Sequence, residues 1–185
     1  MNQEEIIIQE AIRQFGQKGL KFTIQDIAEE LHIAKKTIYH AFASKEDLLI
    51  AMLKYGFSHI QENKRQILRS DEELPDRLRE AMIAIPEEYA VLDFRQLNGL
   101  EEKYPKAASE LHYQLEANWE PIFEVIEEGK KNGQIRKEVD LTVLRLIVTS
   151  TIETFISSEH LENKNIPYQT ALNSLMDIIM KGICL

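Results

Sequence analysis

The 185-residue chain reads as an all-α protein in two parts, a small N-terminal three-helix unit followed by a larger C-terminal helical bundle. Three observations carry that expectation. Apolar residues recur at helical spacing along almost the whole chain, with scarcely any strand-like alternation. The runs begin and end at helix start and stop residues, with Pro105 and Pro167 at starts and Asn98-Gly99 and Asn132-Gly133 at ends. The charge also divides the chain. Residues 1–70 hold ten Lys/Arg against nine Asp/Glu, a net of +1, whereas residues 71–185 hold twelve against twenty-two, a net of −10. The overall −9 therefore belongs to the second part. With 44% apolar content the chain can bury a core as one large or two small domains.

The first segment, MNQEEIIIQEAIRQF, is acidic and places Ile8, Ile12 and Phe15 on one face, which marks an amphipathic helix and not a signal peptide. A turn at Gly16–Gly19 ends it. Thr23 can then cap a second helix, with Asp26 three residues on as an acidic version of the capping box. Ile24, Ile27, Ala28 and Leu31 form its apolar stripe, and small Ala28 admits a close neighbour. His32-Ile33-Ala34 supplies a turn, with Ile33 as an apolar plug. The third segment, Lys35 to Phe42, turns Ile38 and Phe42 inward and crowds Lys35, Lys36, Thr37, Tyr39 and His40 onto its other faces. Those side chains suit phosphate oxygens and base edges better than a core. The pattern is that of a helix-turn-helix DNA-binding domain, assigned to residues 1–46.

Ser44 caps the next helix, with Asp47 at its third position, and free N–H groups there can receive a phosphate. Lys45 at a helix start opposes the macrodipole, so an external phosphate is its expected partner. The candidate DNA-binding residues are Thr23, Gln25, Lys35, Lys36, Thr37, Tyr39, His40 and Lys45.

Thr23, Ile27-Ala28, Ile33, Thr37-Ile38-Tyr39, Phe42 and Lys45-Glu46-Asp47-Leu48 together resemble the signature of the TetR family of one-component transcriptional regulators. The spacing of Gly16–Gly19 before Phe22-Thr23 is similar as well. The likeness covers the first quarter of the chain; the rest matches in length and helical rhythm. The chain departs from the family pattern at three positions. His32 replaces the turn glycine, and His tolerates the positive φ such a turn needs. Ala34 replaces a polar cap, a loss worth about 0.5–2 kcal/mol. Ala41 stands where a His is common, which removes one phosphate contact.

Residues 47–185 are expected to form a ligand-binding and dimerisation domain. The helix from Ser44 continues through Leu48, Leu49, Met52, Leu53, Phe57 and Ile60 toward Leu68, long enough to join the two parts. Ser70–Asp76 is the expected linker. Leu78, Met82, Ile85, Tyr89 and Leu92 keep helical spacing through Pro86, which predicts a kinked helix ending at Asn98-Gly99. A second long element runs from Pro105 through Leu111, Leu115, Trp119, Phe123 and Ile126, interrupted at Pro121. Two such kinks would splay their walls and open a cavity. Asp140 caps a helix carrying Leu141, Leu144, Ile147, Val148, Thr151, Ile152 and Phe155, and the last helix carries Leu172, Leu175, Met176, Ile179 and Ile183. Both are apolar over a wider arc than one core contact uses, which predicts burial against a second copy. The resemblance implies the same, a homodimer through the last two helices. It further implies a pseudo-palindromic operator in double-stranded DNA and a small-molecule effector that releases a repressor by shifting the connecting helix.

Candidate ligand-binding residues are Phe57, Tyr89, Phe94, His112, Tyr113, Trp119, Phe123 and Phe155. Glu88, Arg95 and Glu153 are candidate charges, and an acidic aromatic pocket would suit a cationic lipophile. No Gly-rich phosphate loop, nucleophile motif or metal-ligand spacing is present, and the five His are scattered, so neither catalysis nor a cofactor is expected. A single cysteine, Cys184, and the lack of any membrane-length apolar run point to a cytoplasmic protein. The competing reading is a helical dimer with a degenerate helix-turn-helix, serving as a protein-interaction or ligand-sequestering module. Ala34 and Ala41 are the features that favour it.

Overall fold

Local signals set the first four helices. Asn2 and Glu5 form a reciprocal capping box, Glu5 N donating to Asn2 Oδ1 at 2.8 Å and Asn2 N to Glu5 Oε2 at 2.9 Å. This starts α1 (Gln3–Lys18), which buries Ile7, Ile8, Ala11 and Phe15. Gly19, at φ +55°, ends it and leads through a 3₁₀ turn to the fully buried Phe22. Thr23 and Asp26 cap α2 (Ile24–Glu30) as the sequence predicts. His32 takes φ +52°, the left-handed conformation expected of the missing glycine, and Ile33 N reaches Ala28 O at 3.0 Å to close the turn. α3 (Lys35–Ala41) follows with no side-chain cap at Ala34. Ser44 caps α4 (Lys45–Leu68), whose 24 residues span about 36 Å.

The computed structural model describes residues 2–85, 92–157 and 160–185. Beyond α4 come α5 (Leu74–Met82), α6 (Leu100–Lys103), α7 (Pro105–Glu116), α8 (Glu120–Lys131), α9 (Leu141–Ser157), α10 (His160–Asn163) and α11 (Tyr168–Ile183). The fold is all-α. The extended contacts in the described residues amount to an isolated bridge between Ile135 and Cys184, which ties the end of α11 to the turn after α8. Gly129 makes that turn possible: a Cβ there would meet the buried Ile135 side chain at 2.8 Å.

Two cores lie along α4. One gathers α1, α2 and α3 around Leu48, Leu49 and Met52 and continues into Leu97, Leu100, Ala107, Ile156 and Leu172 of the C-terminal part. The other packs Leu68, Leu78 and Met82 against Trp119, Ile122, Ile126, Val148 and Met176. The N-terminal unit is thus fused to the bundle by a shared core, with α4 as its spine.

Several expected elements differ. The helix foreseen through Pro86 ends at Met82, with Ile83 leaving helical geometry and Ala84–Ile85 outside any helix ahead of the proline. Proline disfavours helix in the residue before it, and here that preference outweighs the apolar spacing. Pro86 and Tyr89 themselves lie outside the described residues. The element interrupted at Pro121 is two helices and not one kinked helix, broken at Ala117–Trp119, where Asn118 takes φ +62°. Pro121 falls in the first turn of α8, where its missing N–H costs nothing. Residues 74–76 of the expected linker already belong to α5. Asp140 caps α9 through Val143 N at 2.9 Å, and Pro167 precedes α11, both as expected. Among the described residues no helix is long and apolar enough to cross a membrane.

Candidate nucleic-acid interface and the adjoining cavity

In α3, Ile38 is fully buried and Phe42 nearly so, which anchors the helix from one side. That leaves Lys35, Lys36, Tyr39 and His40 exposed and Thr37 half-buried, with Tyr39 50% accessible despite its size. The structure therefore gathers five of the candidates on one open surface. Thr23 and Gln25 lie nearby at the start of α2. The Thr23 hydroxyl donates to Asp26 Oδ2 at 2.9 Å and accepts from Asp26 N at 3.1 Å, and Gln25 Nε2 bonds Glu29 Oε1. Asp26 also pairs with Lys18 at 2.8 Å, and these donors hold its carboxyl down at about 2.

Lys45 differs from the sequence expectation. Its ammonium turns into the domain, donating to Leu20 O at 2.7 Å and to Phe22 O, and lies 4.2 Å from the Phe22 ring centroid and 5.4 Å from that of Tyr104. Burial lowers its pKa. Two carbonyls and two rings supply the partner that an external phosphate was expected to be. Beside it, Glu46 Oε1 accepts from Lys106 N at 2.8 Å, capping α7. The first turn of α4 is thereby tied to the DNA-facing unit on one side and the bundle on the other.

Farther along α4 a cavity of about 110 Å³ opens between α4, α5, α7 and α9. Three of the aromatic candidates, Phe57, Phe94 and Trp119, line it. Phe123 stacks on Trp119 at 5.9 Å from behind, and Phe155 packs against the first core. Tyr113 is 63% exposed, and Tyr89 and Glu88 lie outside the described residues. His112 and Glu153 meet at 2.6 Å on the exterior, an ion pair between α7 and α9 that raises the imidazole pKa. Arg95 is held by Asp93 at 2.6 Å. Glu153 and Arg95 thus do not line this cavity. What the cavity contains is Lys64 and Gln61, both buried. Sequence reasoning missed these two, although a signal existed: they fall at helical spacing within the apolar stripe of Phe57, Ile60 and Leu68.

Residues 7–52 match the family model for bacterial regulatory proteins of the tetR family, a span that begins in α1, contains α2 and α3 whole and ends in α4. That segment carries the TetR-type helix-turn-helix. An uncharacterised HTH-type transcriptional regulator of Bacillus subtilis, YvaF, is 25% identical over 179 residues, covering 96% of this chain and 93% of its own. The regulator FadR from Bacillus subtilis, solved in complex with stearoyl-CoA, shares the fold with a TM-score of 0.69 at 18% identity, over 97% of this chain and 98% of that one. A transcriptional regulator from Cytophaga hutchinsonii reaches 0.72 at 18% identity, over 98% of each chain. The N-terminal segment is thus a helix-turn-helix of the kind found in bacterial tetR-family regulators, and the full-length chain is similar to HTH-type transcriptional regulators.

Proposed function

We propose that this chain is a TetR-family repressor that binds a pseudo-palindromic operator as a homodimer and leaves it when a small molecule fills the α4 cavity. Residues 1–46 act as the DNA-binding unit and 47–185 as the ligand-binding and dimerisation unit. Lys35, Lys36, Thr37, Tyr39 and His40 meet the DNA, Thr23 and Gln25 approach the flanking backbone, and Lys45 holds α4 to the unit.

One observation carries the reading. A single helix, α4, is capped at the foot of α3 and supplies Leu53, Phe57, Ile60, Gln61 and Lys64 to the cavity wall. A ligand that prefers one setting of α4 therefore prefers one setting of the recognition helix, which is the requirement for coupling. The largely apolar wall suits a lipophilic molecule, in keeping with the stearoyl-CoA bound by the fold neighbour. Dimerisation is supported by the outer faces of α9 and α11, where Val143, Leu146 and Ile147 are about half exposed and Ile178 is 71% exposed.

The test is selection from a random pool of duplex DNA, followed by salt titration of wild type and Lys36→Ala. Enrichment of a pseudo-palindrome that Lys36→Ala binds about tenfold more weakly, with a shallower salt slope, is the expected result. A folded dimer that enriches nothing at low salt would overturn the reading.

A further inference from the structure

Positions 57, 60, 61, 64 and 68 share one face of α4. Phe57, Ile60 and Leu68 suit the bundle interior; Gln61 and Lys64 do not. Yet Gln61 is only 8% exposed and Lys64 only 9%, and both line the cavity. Among the described residues neither has a hydrogen-bond or ion-pair partner. The Lys64 ammonium has the Trp119 ring, 5.8 Å away. Buried lysines are normally paired, and this one, desolvated without a counter-charge, is pushed down to about 8. Two other polar side chains of the wall are already engaged: Thr149 Oγ1 donates to Glu116 Oε1 at 2.7 Å, and Gln114 Nε2 to Glu110 Oε1 at 2.7 Å. A cation and an amide on α4 face the same largely apolar space.

A second lobe of about 70 Å³, almost wholly apolar, shares Leu53, Phe57 and Ile60 with the first and ends against Ile12 and Phe15 of α1. Resting on the reading that this cavity holds the effector, we propose that it takes a small amphiphilic carboxylate. Lys64 Nζ and Gln61 Nε2 hold the head, and the aliphatic tail lies past Phe57 toward α1. A single ammonium in apolar walls matches a monoanion. It does not match the several charges of a coenzyme A head group, so the free acid and not its thioester is the fitting species. The tail would touch α1 of the DNA-facing unit, the segment whose setting it must bias.

Calorimetric titration of the full-length protein, without DNA, with octanoate, 1-octanol and octylamine below micelle-forming concentrations tests this. Octanoate should bind, 1-octanol about ten- to a hundredfold more weakly, and octylamine not at all. Lys64→Met, which keeps the stem length and removes the buried charge, should lose octanoate by the same factor and bind 1-octanol no worse than wild type does. Equal binding of octanoate by wild type and Lys64→Met, or octylamine matching octanoate, overturns the assignment. So does a folded, operator-binding protein that binds no octanoate, which leaves the regulator reading intact. Lys64-dependent octanoate binding that fails to release the operator upholds the assignment and overturns the effector reading instead.

Discussion

Two lysines of α4 show how differently one side chain can be accommodated. Lys45 satisfies its ammonium on Leu20 O and Phe22 O and on two aromatic faces. Lys64 is buried with no counter-charge among the described residues, and its pKa falls from 10.5 to about 8. The unfolded chain therefore binds more protons than the folded one between those values, and unfolding free energy rises with pH across that window. Below pH 8 the destabilisation is fully present, on the order of 3 kcal/mol, and above 10.5 it is gone. Lys64→Met should accordingly stabilise the ligand-free protein by up to about that amount at pH 7, and the gain should shrink as pH rises from 8 toward 10.5. Urea unfolding of both proteins at pH 7 and pH 10 measures it; a gain independent of pH would show that folding leaves the Lys64 pKa unshifted. At this scale the sequence was only partly legible. The spacing shows that Lys64 sits in an apolar stripe, but whether such a residue is buried or reaches solvent depends on helices distant in sequence. For the same reason Phe57, Phe94 and Trp119 meet in one wall while Tyr113 faces water.

Elements whose signals are local read well. Capping residues, the stripe of Ile24, Ile27, Ala28 and Leu31, and the His32 turn lie within a few residues of the structure they specify, so α1 to α4 follow from the sequence. The end of α5 did not, because apolar spacing continues to Leu92 and only the conformational cost before Pro86 stops the helix. The helices α6 and α10, four residues each, are too short to show a period. Ala34 has the extended backbone of a cap, φ −72° and ψ 142°, but no side-chain oxygen. Ala34→Ser should supply one and stabilise α3 by about 0.5–2 kcal/mol, visible as a rise of roughly 2–8 °C in Tm. An unchanged Tm would mean that the open N–H groups are already satisfied by water.

Over the whole molecule the acidic bundle and the near-neutral N-terminal unit divide the labour. A net charge of −10 in residues 71–185 discourages scattered binding to DNA, while α3 presents the cationic and hydroxyl groups. In the proposed two-fold dimer, two such small recognition surfaces would together read a long site. Ile178, at 71% exposure, contributes little to the isolated protomer, so Ile178→Asp should leave the helical fold intact and raise the dimer dissociation constant on the order of a hundredfold or more. Sedimentation equilibrium beside circular dichroism reads both effects, and an unaltered dimer would place the interface elsewhere. The most direct test of the account is hydroxyl-radical footprinting of the dimer on a selected operator. The account predicts two symmetric protected patches with centres about 34–36 Å apart, or that distance plus a whole helical turn, both lost together in Ile178→Asp. A single patch, or protection unaffected by loss of the dimer, would contradict it.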